Sequence, residues 1–322
     1  MNQLPAHRLL LVHAHPDDET INNGATMAGY RAQGAAVTLV TCTRGEEGEV
    51  LVPSLAHLAA AHEDSLGKYR EGELAAAMTA LGVTDFQFLG APEREYRDSG
   101  MMGTAPNEHP DSFWQADLDE ASSRLVAIIR DRKPQVLITY DEQGGYGHPD
   151  HIKAHQIAMR AAELAADPGF GAGLPWEISK IYWSAIPRSA LHGSLQSSNI
   201  FIQILIKFFN YVPAQWLALP FVKADGVVTT RYDGEKFLPQ KLAALRAHKT
   251  QLILHGDLFK FSKKLSTRIG GNEFYIRVKG EASGPFDKVG RVLDLFAGVK
   301  EYRGSLQLEV LSSKKNSQES HI

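Results

Sequence analysis

Residues 9–19 read LLLVHAHPDDE: a short apolar run, 9–13, passes directly into His15-Pro16-Asp17-Asp18-Glu19. A run this short and this apolar suits a strand buried on both faces of a parallel sheet. The polar residues that follow then fall at the strand's carboxyl end. The pattern returns at residues 136–140 (VLITY), which lead into Gly144-Gly145-Tyr146-Gly147-His148-Pro149-Asp150-His151. Strand-like segments also occur at 37–41, 86–89 and 178–183, and helix-like ones at 24–33, 63–81, 117–132 and 150–166. Gly34, Gly82 and Lys133-Pro134 supply the stops for the first three of those helices. Repeated strand–helix–strand units predict an α/β fold: a Rossmann-like, doubly wound, mostly parallel sheet with helices on both faces. Such sheets bind ligands at the carboxyl ends of their strands, where both histidine-rich segments fall.

The rest of the chain is less regular. Residues 187–220 form a mostly apolar insertion, 236–254 look helical, 272–278 strand-like, and 312–322 (SSKKNSQESHI) a polar tail. The expected division is a catalytic core over 1–186, a C-terminal part over 187–311 that packs on the core and closes the substrate pocket, and the tail 312–322. With 322 residues, 43% hydrophobic and 22% charged, the chain has ordinary globular composition, which excludes a disordered or collagenous protein. The net charge of −3 argues against a broad polyanion-binding surface, so no nucleic-acid partner is expected. No export signal is visible, and the apolar run 200–212 is shorter than the ~20 residues a membrane helix needs. A cytoplasmic location without a membrane partner is the expectation. The sequence carries no signal of oligomeric state. Cys42 stands alone, so an internal disulfide and a cysteine-based metal site are both excluded.

Any metal must therefore be held by nitrogen and oxygen. His15, His148 and His151, with the carboxylates beside them, lie on two loops that a parallel sheet can bring together. Two imidazoles and a carboxylate, with a position left for water, make a catalytic Zn²⁺ set, and Fe²⁺ or Co²⁺ suit the same ligands. A single His-Pro-Asp triplet reads equally well as a turn or helix cap; two of them at strand ends favour a site. Asp17 and Asp18 cannot be told apart on this basis, since both also suit a helix N-terminus.

HPDDE near the start and HPDH in mid-chain resemble the PIG-L/LmbE-like family of zinc-dependent de-N-acetylases. The stretches VTCTRGEEGEV, KYREGEL, YRDSGMMGT, ITYDEQGGYGHPDH, KIYW and AHKTQ extend the resemblance to about residue 251. They are most similar to the branch that deacetylates N-acetylglucosaminyl-inositol in mycothiol biosynthesis. The resemblance implies His15, Asp18 and His151 as zinc ligands and Asp17 as general base. It further implies His148, as a protonated imidazole, and Tyr146 beside the oxyanion, and Arg70 and Asp98 as the sugar-binding pair. Its implied partner is a small N-acetyl amino sugar. Glu19 is expected behind the ligands, Glu47 at the pocket mouth, and His248 on a helix that can approach the site without joining the catalytic set.

Other readings compete. A mycothiol S-conjugate amidase or another N-acetyl-sugar deacetylase would share every motif. A nucleotide-binding protein is disfavoured because the first strand runs into HAHPDDE and not into a GxGxxG turn. A sugar-binding module without catalysis would keep the fold and the metal but make the base dispensable.

Overall fold

The computed structural model describes residues 5–190, 222–252 and 271–301. β1 (Arg8–His13) pairs in parallel with β2 (Ala36–Thr41) on one side and with β4 (Val136–Thr139) on the other. β3 (Asp85–Phe88) continues the parallel sheet beyond β2, and β5 (Lys180–Pro187) beyond β4. β8 (Asn272–Lys279) runs antiparallel along β5, and β7 (Thr230–Asp233) antiparallel along β8. The order is β3-β2-β1-β4-β5-β8-β7, with β6 (Val222–Lys223) paired to the end of β5.

Strand alternation separates two core layers. Leu10 and Val12 of β1 pack with Leu125 and Ile129 of α3 (Leu118–Arg132) and with Ile157 and Ala158 of α5 (Pro149–Ala166). Leu9 and Leu11 face the other way, onto Met27 of α1 (Asp18–Ala32), Leu74 and Met78 of α2 (Leu66–Leu81) and Ala244 of α6 (Leu238–Ala247). Helices on both faces bury β1 completely, which is why its sequence is apolar without alternation. Each such side chain contributes ~1.5–3 kcal/mol on burial. The expected doubly wound, mostly parallel architecture is present. Its switch point lies at β1, whose neighbours lead off in opposite directions, and the crevice there opens at the ends carrying HPDDE and HPDH.

Some boundaries differ from expectation. α1 starts at Asp18, not at 24, and runs through Asn22-Asn23-Gly24. Asp18 and Glu19 supply acidic groups to its first turn. Asn23 is held by His13, Ser184 and Tyr275, so tertiary bonds override its weak helix preference. Close approach also explains Gly29, where a Cβ would lie 1.8 Å from the Tyr232 hydroxyl of β7. α6 is shorter than the 236–254 pattern, and residues 253–254 lie outside the described residues. The C-terminal part joins the sheet through β6, β7 and β8. The insertion from 191 to 220 and the tail 312–322 also lie outside the described residues. No described helix is long and apolar enough to cross a membrane.

Candidate metal and active site

β1 ends at His13, and the chain then turns through His15 into the first turn of α1, which carries Asp18. β4 ends at Thr139, and after the turn α4 (Gly144–Gly147) the first turn of α5 carries His151. Pairing of β1 with β4 brings the two loops together. His15 Nδ1 and His151 Nε2 lie 3.3 Å apart, and Asp18 Oδ2 lies 3.4 Å from each. A tetrahedral ion with Zn–N and Zn–O bonds of ~2.0–2.2 Å sets neighbouring donors about 3.4 Å apart. The triangle therefore fits such an ion.

The tautomers fit too. His15 Nε2 faces Asp150 Oδ2 at 3.1 Å, and His151 Nδ1 faces the Gly144 carbonyl at 3.1 Å. Both partners only accept, so those nitrogens carry the protons and the opposite lone pairs point at the shared centre. Asp150 is fully buried and is itself held by the Ser99 N–H at 3.0 Å and by the Ser99 hydroxyl. Against the cost of burial, His151 and His15 hold the Asp18 carboxyl well below its usual range. His15, His148, Asp98 and Asp150 form an overlapping group with donors within 4.8 Å of one another. In that group the Asp150 and Asp98 oxygens face the proton-bearing Nε2 of His15, and His15, His148 and His151 form a further group with donors within 4.8 Å of one another.

Asp17 lies beside the triangle of His15, Asp18 and His151 in an uncommon backbone conformation, φ 121° and ψ −33°. Burial pushes its carboxyl up to about 6, although the Arg70 guanidinium opposes the rise. Asp17 Oδ2 accepts from Arg70 Nη2 at 3.2 Å, and the same nitrogen donates to the Pro16 carbonyl. Arg70 Nη1 donates to the Gly45 carbonyl at 2.8 Å. A Cβ on Gly45, which has φ +71°, would meet that nitrogen at 1.9 Å. Much of the Arg70 fork is thus occupied by protein, an engagement with Asp17 not visible in the sequence.

His148 caps α5, its Nδ1 accepting from the Asp150 N–H at 3.2 Å. Burial, together with His15 and His151, pushes its pKa down to about 3. With Nδ1 taken by the Asp150 N–H, Nε2 is the ring nitrogen left for the cavity. Tyr146 is 46% exposed, its ring 4.9 Å from that of His151 and 6.1 Å from that of His148. Asp98 Oδ1 lies 3.6 Å from His15 Nε2 and accepts from the Gly100 N–H at 2.8 Å. Its other oxygen accepts from the Glu47 N–H at 3.3 Å, and the Glu47 carboxylate is held by Arg97 at 2.7 Å.

All eight residues singled out for the site (His15, Asp17, Asp18, Arg70, Asp98, Tyr146, His148 and His151) line one cavity of about 930 Å³. Its lining also includes Lys241, Leu245, Leu252 and Asn272-Glu273-Phe274. The Lys241 ammonium and Glu273 carboxylate pair at 2.7 Å, and Glu273 also accepts from the Ala25 and Thr26 N–H groups of α1. Sequence reasoning missed Tyr140, whose hydroxyl reaches Asp18, and Asp150 behind His15. The HPDH motif contains Asp150, so a signal for that residue existed; Tyr140 had none beyond its strand.

The fold is that of a known class. The chain belongs to the PIG-L family: the family model described as GlcNAc-PI de-N-acetylase matches residues 10–162. It is 53% identical over 302 residues to the 1D-myo-inositol 2-acetamido-2-deoxy-alpha-D-glucopyranoside deacetylase of Streptomyces avermitilis, covering 93% of this chain and 99% of that one. It is 54% identical over 301 residues to the protein of the same name from Geodermatophilus obscurus, covering 92% and 99%. Among solved structures, the N,N'-diacetylchitobiose deacetylase of Pyrococcus horikoshii shares the fold, with a TM-score of 0.56, 21% identity and 85% of each chain covered.

Proposed function

We propose that this protein hydrolyses the acetamide of N-acetylglucosaminyl-inositol, giving glucosaminyl-inositol and acetate, as a step of mycothiol biosynthesis. The observation that carries the reading is a three-donor cation site with a separate buried carboxylate beside it, in a chain 53% identical to a relative named for that deacetylation. His15, Asp18 and His151 hold one Zn²⁺. When bound, the ion supplies a Lewis acid that makes water a competent nucleophile at neutral pH and polarises the amide carbonyl.

The chain's own groups do the rest. Asp17 takes the proton from the attacking water as its oxygen bonds to the amide carbon. The same carboxyl then gives the proton to the departing nitrogen as the carbon–nitrogen bond breaks, leaving acetate and a free amine. His148 donates from Nε2 to the oxygen that gains charge, and the Tyr146 hydroxyl assists from the mouth. Asp98 accepts from sugar hydroxyls, and Arg70 contributes whatever of its fork faces the cavity while fixing Asp17. The C-terminal part closes the pocket, a reading supported by Lys241, Leu245 and residues 272–274 in its wall.

Amine release by zinc-loaded protein from N-acetylglucosaminyl-inositol, beside a mycothiol S-conjugate, tests this. Faster turnover of the former supports the proposal. A preference for the conjugate makes the protein an amidase, and no release from either makes it a binding module.

A further inference from the structure

Two groups that the proposed chemistry leaves unused lie directly behind Asp17. Glu19 and His248 are both fully buried. Glu19 Oε2 accepts from the backbone N–H of Asp17 at 2.9 Å, and its Oε1 accepts from Thr20 Oγ1 at 2.5 Å and faces His248 Nε2 at 3.1 Å. His248 sits just past the end of α6, 229 residues away in sequence.

What Glu19 holds is uncommon. A φ of 121° in a residue with a Cβ lies well beyond the left-handed region that aspartate sometimes visits near +57°, and it persists only where surrounding contacts enforce it. The contacts doing so are few: Arg70 on the Pro16 carbonyl and the Asp17 carboxylate, the helix bonds onto the Asp17 carbonyl, and Glu19 on the Asp17 N–H. A carboxylate without solvent keeps its charge and direction only with donors around it. Beside the Thr20 hydroxyl and the Asp17 N–H, the donor that reaches Glu19 from another element is His248. We propose that His248 and Glu19 are a positioning pair, which fixes the Asp17 peptide so that its carboxylate points at the reacting water. The proposal rests on the reading of Asp17 as the base.

The test compares His248→Leu, which keeps bulk but removes the donor, with His248→Gln, which keeps an N–H aimed at Glu19. Both substitutions are also placed in an Asp17→Asn background. The readouts are kcat and KM for amine release from N-acetylglucosaminyl-inositol and the Kd of the apo-protein for Zn²⁺. Misplacing a base by about an ångström costs up to ~10²-fold. His248→Leu is therefore expected to lower kcat by about 10–100-fold with KM and zinc Kd nearly unchanged, and His248→Gln to recover most of it. In the Asp17→Asn background, His248→Leu should add almost nothing, because both changes act through one group. If His248→Leu does not fold, His248→Asn, whose amide stops short of Glu19, replaces it with the same expectations. A slow Asp17→Asn beside an unaffected or fully multiplicative His248→Leu overturns the pair alone, as does loss of zinc affinity. An Asp17→Asn variant with unchanged kcat overturns the base assignment, and the pair with it.

Discussion

The Tyr140 hydroxyl donates to Asp18 Oδ2 at 2.7 Å, the same oxygen that lies 3.4 Å from both His15 Nδ1 and His151 Nε2. It also accepts from the Ala14 N–H at 2.9 Å, and its ring stacks on His151 with centroids 4.3 Å apart. One side chain at the end of β4 thus ties down the backbone after β1 and two members of the cation triangle.

Tyr140→Phe should therefore have two separable effects. The Ala14 N–H is left buried and unpaired, at a cost of ~1–3 kcal/mol in unfolding free energy. Asp18 keeps the His15 N–H at 3.0 Å but loses the other bond that orients it, and zinc affinity should fall by about 10–100-fold. Denaturant melts of the apo-protein read the first effect and zinc titration the second. Wild-type zinc affinity in this variant would show that the hydroxyl does not orient the ligand.

Asp17 and Asp18 should respond oppositely to the same substitution. Asp17→Asn leaves all three donors of the triangle, so zinc stays while kcat falls by ~10²–10⁴. Asp18→Asn replaces a carboxylate donor with a neutral amide and should lose zinc first, activity following. Metal analysis alongside amine release checks both, and a reversed pattern would exchange the two roles.

Arg70 touches Asp17 as well as the cavity, so Arg70→Lys should lower kcat and not merely raise KM. An ammonium cannot serve the Gly45 carbonyl, the Pro16 carbonyl and the Asp17 carboxylate with the geometry of a planar fork. Zinc content should be unaltered. A pure KM effect would mean that the guanidinium acts on substrate alone.

At Gly29 the expectation concerns stability. A methyl group there would meet the Tyr232 hydroxyl at 1.8 Å, forcing α1 away from β7. Gly29→Ala should destabilise by ~1–3 kcal/mol despite alanine's better helix preference. Pairing it with Tyr232→Phe, which removes the clashing oxygen, should return part of the loss in the same melts.

The sheet was legible because its central strands are apolar on both faces, so that 9–13 and 136–140 stand out without alternation. The two histidine-and-carboxylate loops were legible because HPDDE and HPDH sit at the ends of those strands, whereas the choice of Asp18 over Asp17 as a ligand came from the family resemblance and not from position. Glu19 was expected behind the ligands and His248 near the site, but their pairing was not. Glu19 and His248 meet across 229 residues, and nothing local to either marks the other as its partner. The start of α1 was misplaced because Asn22-Asn23-Gly24 reads as a break, whereas bonds from His13, Ser184 and Tyr275 carry the helix through it. β7 escaped notice since Thr230–Asp233 alternates Arg and Asp with Tyr at the far edge of the sheet. The role of His148 as the cap of α5, accepting the Asp150 N–H on Nδ1, is a matter of orientation and not of composition.

β8 enters the sheet against the direction of β5, so its first residues, not its last, arrive at the end where the metal loops emerge. Phe274 lies beside Ala185, and Asn272-Glu273-Phe274 face the cavity with Ser184 to Ile186. A single reversed strand thus adds its opening residues to the cavity lining. The histidine-bearing loops follow β1 and β4, and this part of the lining comes from a strand far from both in sequence. A substitution at 272–274 can therefore alter what the cavity admits without touching the residues of those loops.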